Sequence, residues 1–308
     1  MAMVVAERPA ASAFACGRCG AELRFDGLRA QSCPYCASPN VLEHPESRDR
    51  PAPRFVLTFA GDAAAARRTL ARWLGRRRLF ADSAFARGSA LHLRGVYLPA
   101  YLYSAVGTTD YSAQIGENYT ETEDYTVLDE RRRPVTKQRT ITRTEYRPLA
   151  GRHVGYLADV VVSASAGLDN AELAAIEPFD LKQLRRYAPA LVSGWIAEEF
   201  SRDADACMHA GRREAGDLLG DQLRRFMPGD SHSDLTYRST VSWESLDPIL
   251  VPVWVLAVRY RDDKPPIRVA INGQTGAVFG RVPLSIGKLV AALTVLLAIA
   301  AALWWWLA

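Results

Sequence analysis

The longest unbroken apolar run in the chain is Leu289 to Ala308, which carries no charge and a single hydroxyl, Thr294. Twenty residues at about 1.5 Å each make a helix about 30 Å long, the thickness of a bilayer core. Arg281 and Lys288 precede the run, and Trp304, Trp305 and Trp306 fall where the far interface would lie. The pattern predicts one membrane-spanning anchor over 285–308, with the basic flank and everything before it facing the cytoplasm. Met1 to Ala15 contains no apolar stretch long enough for a signal peptide.

Upstream the periodicity is shorter. Asp62 is placed to cap a helix running to about Arg78, whose apolar positions Ala66, Leu70, Trp73 and Leu74 share one face. Gly95 to Tyr103 reads as a strand, with Pro99 suggesting its start or a sheet edge. Tyr119–Leu128 and Val135–Tyr146 read as the arms of a hairpin around Asp129–Pro134. Glu121, Glu123 and Asp124 on one arm face Lys137, Arg139 and Arg143 on the other. Asp159–Ala164 is a further short strand. Three helices are expected next: Leu181–Tyr187 capped by Asp180, one opened by Pro189 that includes Trp195 and Ile196, and Asp203–Met227 with Leu219, Leu223 and Phe226 as its core face. Strands return at Ile249–Tyr260, Ile267–Asn272 and Ala277–Gly280, the last two joined by a turn over Asn272–Gly276. The fold class is therefore α+β: an antiparallel, β-rich body with a helical insert.

With 49% hydrophobic and 23% charged residues in 308, the chain is not a disordered one. A net charge of +4 neither demands nor excludes a polyanionic partner. The cysteines change the picture more. Cys16-Gly-Arg-Cys19 and Cys33-Pro-Tyr-Cys36 are two CxxC pairs separated by thirteen residues. A CxxC turn sets two sulfurs on one side of a tight knuckle, and two knuckles supply the four thiolates of a tetrahedral zinc site. Between them, Leu23–Phe25, Asp26-Gly27 and Leu28–Ala30 read as two short strands joined by a hairpin turn. So small a unit needs a metal to fold, and a cytoplasmic setting disfavours a redox or disulfide pairing. Gly20 follows the first knuckle but Ala37 follows the second, where glycine is usual. Residues 39–53, rich in proline and charge, read as a linker. The expected division is 1–38 zinc ribbon, 39–53 linker, 54–284 α+β body and 285–308 anchor, with ribbon and body folding independently. Cys207 is expected to be a small buried hydrophobe.

Catalytic signatures do not appear. The chain lacks a GxxxxGK[ST] loop, a GxSxG elbow, an HExxH helix and a dinucleotide-binding glycine fingerprint, and its five histidines are scattered. Asp217 and Asp221 lie one helical turn apart, with Arg224 and Arg225 close enough to neutralise them. No enzymatic activity is expected. Arg67, Arg68, Arg72 and Arg76 stand in the first helix with no acid between them. Two readings remain open for them: a solvated helix face, or a surface for anions such as lipid headgroups.

The order of these motifs, from the CxxC…CPYC ribbon through Gly-Val-Tyr-Leu-Pro99, Glu177-Pro-Phe-Asp-Leu181 and Leu250-Val-Pro-Val-Trp254 to Asn272-Gly-Gln-Thr-Gly276 and a terminal span, resembles the bacterial TFIIB-type zinc-ribbon membrane proteins over nearly the whole chain. Members are often labelled primosomal or helicase-like, a label that the missing nucleotide-binding loop argues against here. The resemblance implies zinc held by Cys16, Cys19, Cys33 and Cys36. It also implies a non-enzymatic scaffold or adaptor of the bacterial inner (plasma) membrane, acting in envelope maintenance through membrane-associated protein partners. The alternatives are a nucleic-acid-binding protein associated with replication, and an enzyme of unrecognised type.

Overall fold

A computed structural model describes residues 12–25, 32–38, 41–44, 50–77, 81–82, 85, 93–128, 132–258 and 267–307. The chain forms β1 (Ser12–Cys16), β2 (Glu22–Phe25), β3 (Val41–His44), β4 (Phe55–Val56), α1 (Ala63–Gly75), β5 (Leu93–Leu128) and β6 (Pro134–Ser163). There follow α2 (Asn170–Ala174), a 3-10 turn (Leu181–Gln183), β7 (Arg185–Arg186), α3 (Pro189–Val192), β8 (Ile196–Glu198) and α4 (Ala204–Phe226). The chain continues through β9 (Ser231–Val258), β10 (Ile267–Asn272), β11 (Val278–Gly280) and α5 (Ile286–Leu307). It is a strand-rich α+β arrangement with a C-terminal apolar helix.

Chain contacts define two compact units. The first gathers 1–102, 161–208 and 246–308; the second gathers 103–160 and 209–245. In the first unit the strand order is β11-β10-β9-β5-β8-β2-β1-β3. β2 pairs antiparallel with β8 (Leu23↔Glu198), and β8 runs parallel to β5 (Val96↔Ile196, Tyr97↔Ala197). The cysteine-bearing strands are thus continuous with the body's sheet. Cys16, Ala21, Leu23, Cys33, Tyr35 and Cys36 lie in one apolar cluster with Leu57, Val96, Leu98, Val251 and Val253. This packing departs from the expected 1–38 and 54–284 division. The ribbon's few apolar side chains cannot bury one another, so they are buried against the body instead. Residues 39–40 and 45–49 of the expected linker, and the 26–30 half of the expected ribbon hairpin, lie outside the described residues. Arg50, inside that linker, is tied to Glu22 and, at 3.7 Å, to Glu199.

The first helix is where the pattern places it. Asp62 caps it by accepting from the Ala65 amide at 2.8 Å, and Ala66 and Leu70 are buried. Other expected helices shrink. The one after Asp180 is a single 3-10 turn, and the one opened by Pro189 stops at Val192, with Ile196 passing into β8. α2, with a capping box from Asp169 and Glu172, was not expected.

The second unit explains why three strands are so much longer than their sequence signals. Between Tyr101 and Thr109, β5 buries every other residue, but the inward positions include Ala105, Gly107 and Thr109, and further on Ala113, too small to read as an apolar stripe. They are small because α4 lies close. A Cβ on Gly107 would sit 2.3 Å from Leu219 Cδ2, and one on Gly211 would sit 2.8 Å from the Tyr103 ring. Ala215, Leu219 and Leu223 form the buried face of α4, whereas Phe226, expected in that face, is half exposed. The expected hairpin forms the ends of β5 and β6 and is laced as anticipated: Arg143 reaches Glu121 and Glu123 at 2.7 Å each, and Arg139 reaches Glu123 at 3.0 Å.

Candidate metal centre

Two near-identical turns build the site. In the first, the Gly20 amide donates to the Cys16 carbonyl at 2.9 Å and the Cys16 amide to the Ala21 carbonyl at 2.9 Å. In the second, the Ala37 amide donates to Cys33 at 2.9 Å and the Cys33 amide to Ser38 at 2.8 Å. Each turn closes on a residue in the left-handed region, Gly20 at φ 72° and Ala37 at φ 53°. That backbone suits glycine and costs an alanine about 1–2 kcal/mol. Ala37 therefore keeps the knuckle geometry in spite of its Cβ.

The turns bring all four predicted cysteines together. Cys16 Sγ lies 3.5 Å from Cys36 Sγ and Cys19 Sγ 3.5 Å from Cys33 Sγ. All four sulfurs fall within 4.8 Å of one another. Tetrahedral ligation at about 2.3 Å separates sulfurs by about 3.8 Å, so the group could hold one metal ion. Cys19 is held down at about 5 by the hydrogen bond it receives from Cys33, whose own proton is correspondingly harder to remove. Burial first, and its neighbours after, push Cys36 up to about 11. A cation bound among the four sulfurs would offset the cost of deprotonating them so close together. Among the described residues, this is the one group of three or more Cys, His, Asp or Glu side chains placed to bind a metal. Cys207 is buried, its thiol 3.6 Å from the Ser163 carbonyl.

Sequence reasoning missed what the second knuckle rests on. Tyr35, between Cys33 and Cys36, is 2% exposed, and its hydroxyl donates to Glu198 Oε2 at 2.5 Å. Glu198 is itself 3% exposed. It also receives Ser165 Oγ at 2.7 Å from both carboxylate oxygens, and the Gly167 amide at 3.3 Å. Gly167 has to be glycine because a Cβ there would lie 2.6 Å from the Tyr35 ring. Burial raises the Glu198 carboxyl to about 7 against these hydrogen bonds, and burial followed by the Glu198 charge raises the Tyr35 hydroxyl well above its usual range. Glu199, the next residue, turns outward to Arg24 at 2.6 Å. The alternation of a strand at 196–198 was the available signal, obscured because the same residues read as the tail of a helix.

The remaining candidates stay apart from this centre. Arg67, Arg68, Arg72 and Arg76 are exposed on α1. Asp221 pairs with Arg224 at 2.6 Å. One helix among the described residues, Ile286–Trp306, is long and apolar enough to cross a membrane, with mean hydropathy 2.3 and none of its apolar window buried.

No family model matches the chain, and no solved structure matches it. It is similar to an uncharacterized protein of Bacillus subtilis (strain 168), YdjG, at 21% identity over 243 residues. The match covers 78% of this chain and 66% of that protein, so the chain spans just under two thirds of the length of the relative it matches.

Proposed function

We propose that the chain is a non-enzymatic, membrane-anchored scaffold of the TFIIB-type zinc-ribbon kind, with zinc as a structural ion and its body on the cytoplasmic side of the bacterial inner membrane. The observation that carries this reading is the closure of the cysteine site. Four protein sulfurs lie within 4.8 Å of one another, enough to fill a tetrahedral ion's coordination, and Cys16, Cys33 and Cys36 are buried in the core that also holds the body together. Catalytic zinc keeps a position open for water or substrate; a full set of four thiolates is the structural pattern. Zinc is favoured because a tetrahedral all-sulfur set in a reducing compartment suits it. Arg281 before the apolar helix and Lys288 in its first turn support the cytoplasmic orientation. Trp243, 86% exposed in the second unit, offers a protein partner an aromatic anchor. The basic residues of the long hairpin do not support a nucleic-acid surface, because Arg139 and Arg143 are spent on Glu121 and Glu123.

The test uses the full chain purified from membranes in detergent. Elemental analysis should give one zinc per chain, lost in Cys33→Ser/Cys36→Ser, and alkaline extraction should leave the chain in the membrane pellet. Thiol reagents added outside intact cells should label none of the cysteines. Iron–sulfur absorbance in place of zinc, or outside labelling of Cys19, would overturn the reading.

A further inference from the structure

α1 presents an exposed row of arginines: Arg67, Arg68, Arg72, Arg76 and, at its end, Arg77. Several exposed arginines elsewhere are neutralised, although among the described residues Arg185, Arg186, Arg213 and Arg238 are not. Arg139, Arg143, Arg152, Arg212 and Arg224 each meet a carboxylate at 3.0 Å or less. Among the described residues none of the α1 arginines has an ion-pair partner. Arg72 reaches only the Thr69 hydroxyl at 3.3 Å, and Arg77 lies 4.4 Å above the Trp73 ring. α1 itself contains no acid. Arg68, Arg72 and Arg76 recur every fourth residue along one side of α1, flanked by Arg67 and Arg77, and these uncompensated guanidinium groups raise the local potential and call for an anionic surface outside the chain.

The position of α1 says which surface. Its buried side, with Ala66 and Leu70 and the partly buried Trp73 and Leu74, packs in the same apolar cluster as Val282, four residues before α5. The segment leaving α1 is tied to the segment entering α5: Ala81 bridges Leu284, the Asp82 amide donates to Pro283 at 2.8 Å, and Lys288 Nζ donates to the Ala81 carbonyl at 2.8 Å. Three residues separate Arg77 from Ala81, so the end of the arginine row lies at most about 14 Å along the chain from Ala81, which Lys288 in the first turn of α5 contacts. That is one to two Debye lengths at physiological salt.

We propose that the arginine face of α1 is a docking surface for anionic phospholipid headgroups of the membrane that α5 enters. The proposal rests on the reading of α5 as a span. It turns a tether into a two-point attachment: the span fixes where the body is held, and α1 fixes which side of it lies against the bilayer.

The full chain is reconstituted in nanodiscs of phosphatidylcholine, with or without phosphatidylglycerol, and carries a nitroxide at Ala71→Cys, an exposed position within the arginine row. Collision with a water-soluble relaxant should fall when phosphatidylglycerol is present and recover with added salt. Each arginine replaced in the series Arg67→Gln, Arg68→Gln, Arg72→Gln, Arg76→Gln should lower the docked-to-undocked ratio about five-fold. The matching lysine series, which keeps the charge, should retain the shielding and so separates loss of docking from loss of fold. Equal accessibility in both lipids, or shielding that survives all four glutamines, overturns the proposal. So does shielding in phosphatidylcholine discs produced by inorganic phosphate or by single-stranded DNA. A chain that does not remain with the discs refutes the span itself, a separate outcome read before any lipid comparison.

Discussion

Removing the metal should unfold more than the ribbon. In Cys33→Ser/Cys36→Ser the second knuckle loses two of the ligands that hold its shape, and Tyr35 leaves the body with it. Tyr35 is 2% exposed and packs against Gly167. A buried aromatic removes about 150–250 Å² from water, worth about 4–6 kcal/mol at about 25 cal/mol per Å². Its hydroxyl is also a donor to Glu198, and a buried carboxylate deprived of one donor costs about 1–3 kcal/mol more. A typical domain is stable by about 5–15 kcal/mol. The loss is therefore comparable with the whole stability of the first unit. Hydrogen exchange on the full chain in detergent should show protection falling not only at 12–38 but also in β8 and in the 93–102 part of β5, which pair in succession with β2. Protection in the second unit, at 209–226 of α4, should persist longer. Zinc lost with exchange at 93–102 and 249–256 unchanged would refute the argument and restore the independent ribbon.

Three further outcomes follow from single contacts. The folded Glu198 carboxyl binds its proton more tightly, at about 7, than the value of 4.5 for an unfolded chain, so its contribution is fully present below 4.5 and is lost as pH rises through 7. Glu198→Gln removes this slope: relative to the parent chain it should gain on the order of 3 kcal/mol between pH 5 and pH 8 in paired denaturant melts, and a constant difference would refute it. The pH dependence of metal binding is common to both chains and cancels. Ala37→Gly should relieve about 1–2 kcal/mol of left-handed strain and lose about 0.4–1 through a freer unfolded chain, leaving a few-fold tighter zinc in competition titrations; weaker binding would show that Ala37 is unstrained. Gly107→Ala drives a methyl into Leu219 and should cost about 1–3 kcal/mol in thermal melts, with Leu219→Ala restoring part of it in the double variant; additive losses would place the contact elsewhere.

Much of this architecture was legible because local rules agreed. Asp62 before an apolar stripe gave α1, paired CxxC turns gave the four-sulfur group, and a charge-free run of twenty residues gave α5. The misreadings have a common physical origin. In β5 the inward residues were chosen for the room α4 leaves rather than for hydrophobicity, so the alternation was carried by Gly107 and Thr109 and did not register. From Pro189 through Ile196 the local signals favoured helix, but Ile196 and Ala197 are recruited as a strand between β2 and β5, a tertiary preference with no trace in a short window. Nothing in its local sequence marks Glu198 as an interior residue; only its partners Tyr35 and Ser165, 163 and 33 residues away, make it one.

The separation of Tyr35 from Glu198 also sets an order of events during synthesis. All four cysteines of the candidate metal centre lie within one short segment, Cys16 to Cys36, whereas the strand that receives their knuckle follows about 160 residues later. At roughly 5–20 residues per second, a loaded knuckle waits on the order of 10–30 s with its tyrosine in water before β8 leaves the ribosome. On the proposed reading metal loading would be an early, local event, and docking a late one that β9 must follow to complete the first unit. A cell short of the ion would accumulate chains whose defect is already present before β8 has been translated.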